Sequence, residues 1–342
     1  MRGLARVVVV GSILAGCAAD DAPPPISCLT ESCGGQLDRA VLFGGTPNDG
    51  DVTLNDTWSW DGAAWKQETA SGPPAREWAQ ATTLNGSMVV YSGYGDGNLQ
   101  DTWTWNGTSW AENASGMYPI YGGGMSALNG EAVLFGGDDD WGLPDWETWT
   151  WNGASWTQLN ALDNGGDWLI DPQMGAPTNI YAFTMTTLND TIVLFGGEDN
   201  AGNVLNATWT WNGTSWSWLD IAGPQPRIAP AMAGLNGKVV LFGGFDVNGN
   251  ALNDTWIWDG TSWTAANVSG PSARWGHVMT TVDNAIVLFG GQSDKTTMLD
   301  DTWIWSGSSW TKADVAGPSA RSSAVMATIT PAHVATPPAF AP

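Results

Sequence analysis

The sequence is short of positive charge. Its 342 residues include 11 lysines and arginines against 34 acids, a formal net charge of -23, yet only 13% of residues are charged. Missing bases, more than extra acids, make that imbalance. Such a surface repels phosphate backbones and anionic headgroups, so nucleic acid is not an expected partner. Histidine is nearly absent, with His277 and His333 alone. A serine or cysteine nucleophile needs a placed base, so a hydrolytic triad has no support. Cysteine occurs only at Cys17, Cys28 and Cys33, all near the start of the chain. Beyond the first residues, no stretch is apolar enough to span a bilayer as a helix.

What the N-terminus does have is an export pattern. Arg2 and Arg6 precede an apolar run from Val7 to Leu14, followed by Leu14-Ala15-Gly16-Cys17. A basic start, a short apolar core and small residues before a cut site describe a secretory signal peptide over residues 1–16. Leu-Ala-Gly-Cys resembles a bacterial lipobox, which implies lipidation of Cys17 and an exported protein held at the cell envelope by a lipid anchor. In an exported chain Cys28 and Cys33 are expected to form a small disulfide. Residues 17–38, with Pro23-Pro24-Pro25, read as a tether. Residues 331–342 read as a disordered tail.

Between them one pattern recurs six times. An apolar run ends in Gly-Gly, as in Val41-Leu42-Phe43-Gly44-Gly45, with Ser92-Gly93 as a variant. After it comes W-x-W-x4-W, at Trp58/Trp60/Trp65, Trp103/Trp105/Trp110, Trp149/Trp151/Trp156, Trp209/Trp211/Trp216, Trp256/Trp258/Trp263 and Trp303/Trp305/Trp310. Tryptophans two apart share one face of a strand. Asp61-Gly62 and its equivalents are expected to close a two-residue turn, and Asn85-Gly86 another. A strand such as Arg274–Val282 completes the unit, with a methionine recurring at Met125, Met185, Met232, Met279 and Met326. Four strands in a repeat of roughly 47 residues predict a propeller blade.

The Gly-Gly ending, the Asn55-Asp56-Thr57-Trp58 stretch, the tryptophan on the last strand and the Gly72-Pro73-Pro74-Ala75-Arg76 lead-in resemble the kelch family, over about Arg39 to Ile329. The resemblance implies an all-β, six-bladed β-propeller of four-stranded blades over residues 39–330. The domain begins at a second strand and ends on a lone first strand, Arg321 to Ile329. The C-terminal strand is therefore expected to complete blade 1 and close the ring. The eighteen repeated tryptophans are expected to pack between sheets. Trp78, Trp141, Trp146, Trp168, Trp218 and Trp275 break register and suit stacking on a sugar better.

Tight turns joining strands 1–2 and 3–4 share one face, so the longer connections emerge on the other, the expected binding face. Two constellations fall there. Blade 3 carries Asp139, Asp140, Trp141 and Trp146, with Trp168 in an unusually long outgoing loop, a set of acids and aromatics suited to a cation or a sugar. Arg76, Arg227, Arg274 and Arg321 occupy one register. They are expected either to meet a carboxylate at the channel mouth or to bond neighbouring blades. Copper radical oxidases with kelch-type blades use two histidines, a tyrosine and a Cys–Tyr cross-link, and that set is missing here. Asp246-x-Asn248-x-Asn250 lacks the glycine and distal glutamate of a calcium loop. No catalytic residue, metal or cofactor is expected. The expected role is binding of a protein or carbohydrate. The alternatives are a sugar-acid epimerase using the arginines as a clamp, and a purely structural surface protein.

Overall fold

A computed structural model describes residues 38–47, 52–113, 118–138, 147–159, 177 and 180–330. The described residues contain strands and turns but no helix. They form six antiparallel four-stranded sheets. Blade 2 shows the plan, with Gln80–Leu84, Ser87–Tyr91, Thr102–Trp105 and Trp110–Glu112 paired in sequence from inside to outside. Blade 1 joins Arg39–Phe43, Thr57–Trp60 and Trp65–Glu68 to Val325–Ile329, which lies innermost. Five pairs, from Arg39↔Ile329 to Phe43↔Val325, tie the C-terminal strand to the first, so the ring closes as expected. The innermost strands of neighbouring blades touch all the way round.

Two expected details differ. The innermost strands begin four residues after the arginine register, at Val278 rather than Arg274 and at Val325 rather than Arg321. A left-handed residue interrupts the pleat there, Gly276 at φ 61° and Ser323 at φ 55°. The connection after Trp60 is also longer than two residues, because Trp60 pairs with Trp65 and leaves four residues between them. The Asp61 carboxylate accepts from the Ala63 and Ala64 amides at 2.9 Å and closes that loop. The Asn85-Gly86 turn does have two residues, both left-handed at 51° and 76°, between paired Leu84 and Ser87.

The repeated tryptophans divide the work of holding the ring. The second of each triplet, such as Trp60 and Trp151, is fully buried. The third packs on the aromatic that ends the second strand of the preceding blade: Trp110 on Phe43, Trp216 on Phe135, and Trp65 on Phe289 across the closure, with ring centroids 5.0, 4.7 and 5.3 Å apart. Its indole N–H donates into that same blade, to the threonine before the first tryptophan. Trp110 reaches Thr57 and Trp65 reaches Thr302, both at 2.9 Å. All six blades repeat this link. Burying about 150–250 Å² of indole at about 25 cal/mol per Å² stabilises by on the order of 4–6 kcal/mol, an upper figure because unfolded chains hide some surface. Met125, Met185, Met232, Met279 and Met326 are buried on the innermost strands, between the blades.

Candidate functional site

The arginines decide what the channel mouth can do. Arg76, Arg227, Arg274 and Arg321 are 1%, 0%, 0% and 1% exposed. Each forms a bidentate pair with the aspartate at the start of its own blade's third strand: Arg76 with Asp101, Arg227 with Asp254, Arg274 with Asp301 and Arg321 with Asp56, at 2.6–3.2 Å. In Arg274 and Arg321 the remaining donors turn inward as well. Arg274 Nε donates to Ser272 O at 3.0 Å, Nη1 to Gly290 O at 2.9 Å and Nη2 to Ser272 Oγ at 3.0 Å, which uses every N–H of the guanidinium. Meanwhile the main chain of each arginine belongs to the blade before. Gly45 N donates to Arg76 O at 2.8 Å, and Arg76 N donates to Leu54 O at 3.0 Å.

The arginines therefore staple blade to blade, the second of the two arrangements expected for them. A ligand carboxylate would have to reach a fully buried guanidinium and displace a partly buried aspartate from a two-pronged bond. Burial acts first on those aspartates and would raise them, but the arginine bonds and charge outweigh it and hold Asp56, Asp101, Asp254 and Asp301 below the ordinary carboxylate value.

Just inside this staple lies a second device that sequence reasoning did not reveal. One residue per blade is left-handed: Trp78, Gly122, Ala182, Ala229, Gly276 and Ser323, with φ between 49° and 66°. Their peptide groups form a closed belt. Trp78 N donates to Ser323 O, Ser323 N to Gly276 O, Gly276 N to Ala229 O, Ala229 N to Ala182 O, Ala182 N to Gly122 O and Gly122 N to Trp78 O, at 2.7–3.2 Å. A bulky residue at positive φ is strained, and such strain gathers at functional positions. Trp78 is the bulky one.

Trp78 leads to a groove of about 860 Å³ over blades 1, 2 and 6, on the face of the long connections. Its lining includes Glu77, Trp78, Tyr94, Asp96, Trp275 and Gln292. Trp275 stands edge-on to Phe245 at 5.1 Å, and with Trp78 it packs against Ala182, Ile228 and Ala229 beside the belt. Glu77 and Tyr94 are locked together through their main chains, N to O at 2.8 and 2.9 Å. Burial raises the Glu77 carboxyl above its ordinary value. The equivalent pairs on blades 3 and 4 are Tyr121 with Asp138 and Tyr181 with Glu198, whereas blade 5 has Ile228 with Phe245. The mouth thus has an acid–tyrosine arc and an aromatic side. Tyr181 is pushed up to about 12, by burial first and then by Glu198.

Two of the off-register tryptophans, Trp78 and Trp275, line the groove. Trp218 does not; it is 58% exposed on the outer strand of blade 4, opposite Trp209. Asp139, Asp140, Trp141, Trp146 and Trp168 lie outside the described residues, as do Cys17, Cys28 and Cys33. His277 is buried against Phe242, with ring centroids 5.5 Å apart. Burial and then the Arg274 charge push it down to about 3, so it stays neutral. The Asp246 carboxylate closes its own loop by accepting from the Asn248 and Asn250 amides at 2.8 and 2.9 Å. Among the described residues no group of three histidine, cysteine or acidic side chains is placed to hold a metal ion.

Fold and repeat together define a kelch-type propeller. A family model described as the KLHDC2/KLHL20/DRC7 Kelch-repeats domain matches residues 125–334, more than half of the chain. The chain belongs to the Kelch-repeat family. Comparison with curated proteins returns no match. The matched span covers blades 3 to 6 and the closing strand, and blades 1 and 2 repeat the same pattern.

Proposed function

We propose that this propeller is a binding module whose ligand, a protein or a carbohydrate, sits in the groove walled by Trp78 and Trp275. The observation that carries this reading is the contrast in commitment at the channel mouth. The repeated charged groups are consumed within the ring, while the single-copy aromatics and Glu77 line an open groove. Its size falls in the range of about 300–1,000 Å³ typical of small-ligand sites. An epimerase that clamps its substrate with the arginines has no free guanidinium to use. A purely structural role accounts for the left-handed backbone at position 78, which the belt needs, but not for a tryptophan where the other blades carry glycine, alanine or serine. Screening the purified chain on oligosaccharide and peptide arrays tests the proposal. Trp275→Ala is expected to abolish the best ligand's binding in the protein that stays folded, with Tm lowered by the packing it loses on Phe245 and Ile228. Unaltered binding in both Trp275→Ala and Trp78→Ala would place the site elsewhere.

The sequence supports export and anchoring through Cys17, with Cys28 and Cys33 paired in the tether. Cys17→Ser expressed in a bacterial host is expected to move the protein out of the membrane fraction; retention there contradicts the anchor.

A further inference from the structure

The groove's chemistry narrows the ligand further. Glu77 is half-buried on the groove wall, and no hydrogen bond or ion pair engages its carboxylate among the described residues. A carboxylate stripped of part of its water and given no partner is costly, and a cation beside it recovers that cost. Most of the molecule's own cations are committed elsewhere, and Lys295, exposed in the blade 6 loop that follows Gln292, is not part of the groove's lining. The four arginines nearest the mouth are closed on aspartates. Lys66 pairs with Glu68, and Lys312 lies 3.9 Å from Asp301. Lys238 starts the second strand of blade 5, on the tight-turn side. Asp96 stands exposed on the same groove. Trp78 and Trp275 complete the lining, and tryptophan is the best aromatic partner for a cation. Around the groove, a chain of net charge -23 attracts cations over a longer range.

We infer that the groove selects a basic side chain, a lysine ammonium or an arginine guanidinium presented by a protein partner, with Glu77 as counter-ion and Trp78 and Trp275 as walls. The inference rests on the groove being the ligand site, and it commits that site to a basic protein segment rather than to a neutral sugar. Both ligands stack on tryptophan. Only the basic one repays the unpaired carboxylate. An anionic ligand meets Glu77 and Asp96 with no free arginine in reach.

The test uses fluorescence anisotropy with the purified full-length chain. The probes are fluorescein-labelled Gly/Ser decapeptides bearing two central lysines, two arginines, two norleucines or two glutamates. Unlabelled cellotriose and chitotriose serve as competitors. The lysine and arginine peptides are expected to bind at least about ten-fold tighter than the norleucine peptide and to weaken as salt rises. Glu77→Gln should remove that advantage without lowering Tm, because no partner of the side chain is lost and the cost of its desolvated charge is relieved, and Trp275→Ala should weaken all binding. Equal affinity for lysine and norleucine, or sugar competition with Glu77→Gln silent and Trp275→Ala disabling, overturns the cation inference but leaves the groove reading standing. Peptide binding indifferent to both Trp78→Ala and Trp275→Ala overturns both. Failure of every basic peptide to bind also overturns the cation inference.

Discussion

Blades 1, 2, 5 and 6 carry the arginine–aspartate staple, and blades 3 and 4 do not. In blade 4 both partners are gone together: Ile180 stands at the arginine register and Ala207 at the aspartate register. Ile180 instead joins the apolar cluster of Phe135, Phe183 and Leu194. Blade 3 has Ile120, 2% exposed, at the arginine register. It keeps an acid, Glu147, which accepts from the Tyr118 hydroxyl and, at 2.8 Å, from Trp149 Nε1. The main-chain stitch survives in both, since Gly93 N donates to Ile120 O and Gly137 N to Ile180 O, at 3.2 and 3.1 Å. The backbone bond is therefore the common part, and the side chain at this register is interchangeable between a satisfied ion pair and an apolar plug. Replacing a buried ion pair as a whole is tolerable, whereas removing one partner strands the other. A residue set that can be swapped for packing in two blades of six behaves as structure.

The closing strand offers the severest way to break that comparison. A chain ending at Ala320 loses both the innermost strand of blade 1 and the Arg321–Asp56 staple, and leaves two strand edges open. It is expected to lose its cooperative unfolding transition by calorimetry, while a chain ending at Thr330 keeps it. A full-length melting curve from the shorter chain contradicts ring closure.

Next in size is the staple itself. Arg227→Ala removes a fully buried guanidinium from the part-exposed Asp254 and is expected to cost about 1.5–3 kcal/mol in denaturant unfolding. Ile180→Val at the same register of blade 4 is expected to cost about 0.5–1.5 kcal/mol. Equal losses would erase the distinction between stapled and plugged blades.

Acid separates the two kinds of blade more gently. His277 in blade 6 has a folded value pushed down to about 3, against an ordinary 6.5. Its unfolded form takes up a proton first, so stability falls from about pH 6.5 downward by up to about 1.4 kcal/mol per pH unit. The four stapled aspartates have lowered values. Their contribution is complete above their unfolded value of about 3.8 and is lost as pH falls through the folded values. A Tm–pH profile should therefore decline in two stages, the first absent in His277→Gln. A profile flat down to pH 4 would show that His277 is not buried neutral.

The smallest expected effect concerns the tryptophan–threonine links, which all six blades share. Trp110→Phe keeps a ring against Phe43 and removes the bond to Thr57. The loss is expected near 1 kcal/mol, plus a packing cost for the smaller ring. Trp216→Phe, between the two unstapled blades, should cost a similar amount. A loss in one blade several times larger than in the other would mean that the ring is not an even sum of its interfaces.

Much of this was legible beforehand, for a physical reason. Six copies of W-x-W-x4-W with Gly-Gly fix the strand period, and the displaced register of the two chain ends fixes the closure. The staple was half legible. The arginines were visible as one register, but the signal naming their partner was the aspartate before each Thr-Trp, present at Asp56, Asp101, Asp254 and Asp301 and absent at Ala207. The threonine that receives the third indole was equally open to view, standing before all six first tryptophans. The belt was not legible, because tryptophan, alanine, serine and glycine share only a backbone angle there. Nor was the groove, which joins Thr46, Glu77 and Ser323 from distant parts of the chain through ring closure alone.

Arg274 and Trp275 are consecutive in sequence and have opposite roles, one a staple and one a groove wall. Tm and lysine-peptide affinity measured on Arg274→Ala and Trp275→Ala therefore test the central claim most directly. Arg274→Ala is expected to keep near-native affinity in the folded fraction despite a large fall in Tm, and Trp275→Ala to lose affinity in the folded fraction whatever Tm it gives up through lost packing on Phe245 and Ile228. Lost affinity at an unchanged Tm in Arg274→Ala would contradict that claim, by making the arginine register the site and the aromatic groove part of the scaffold.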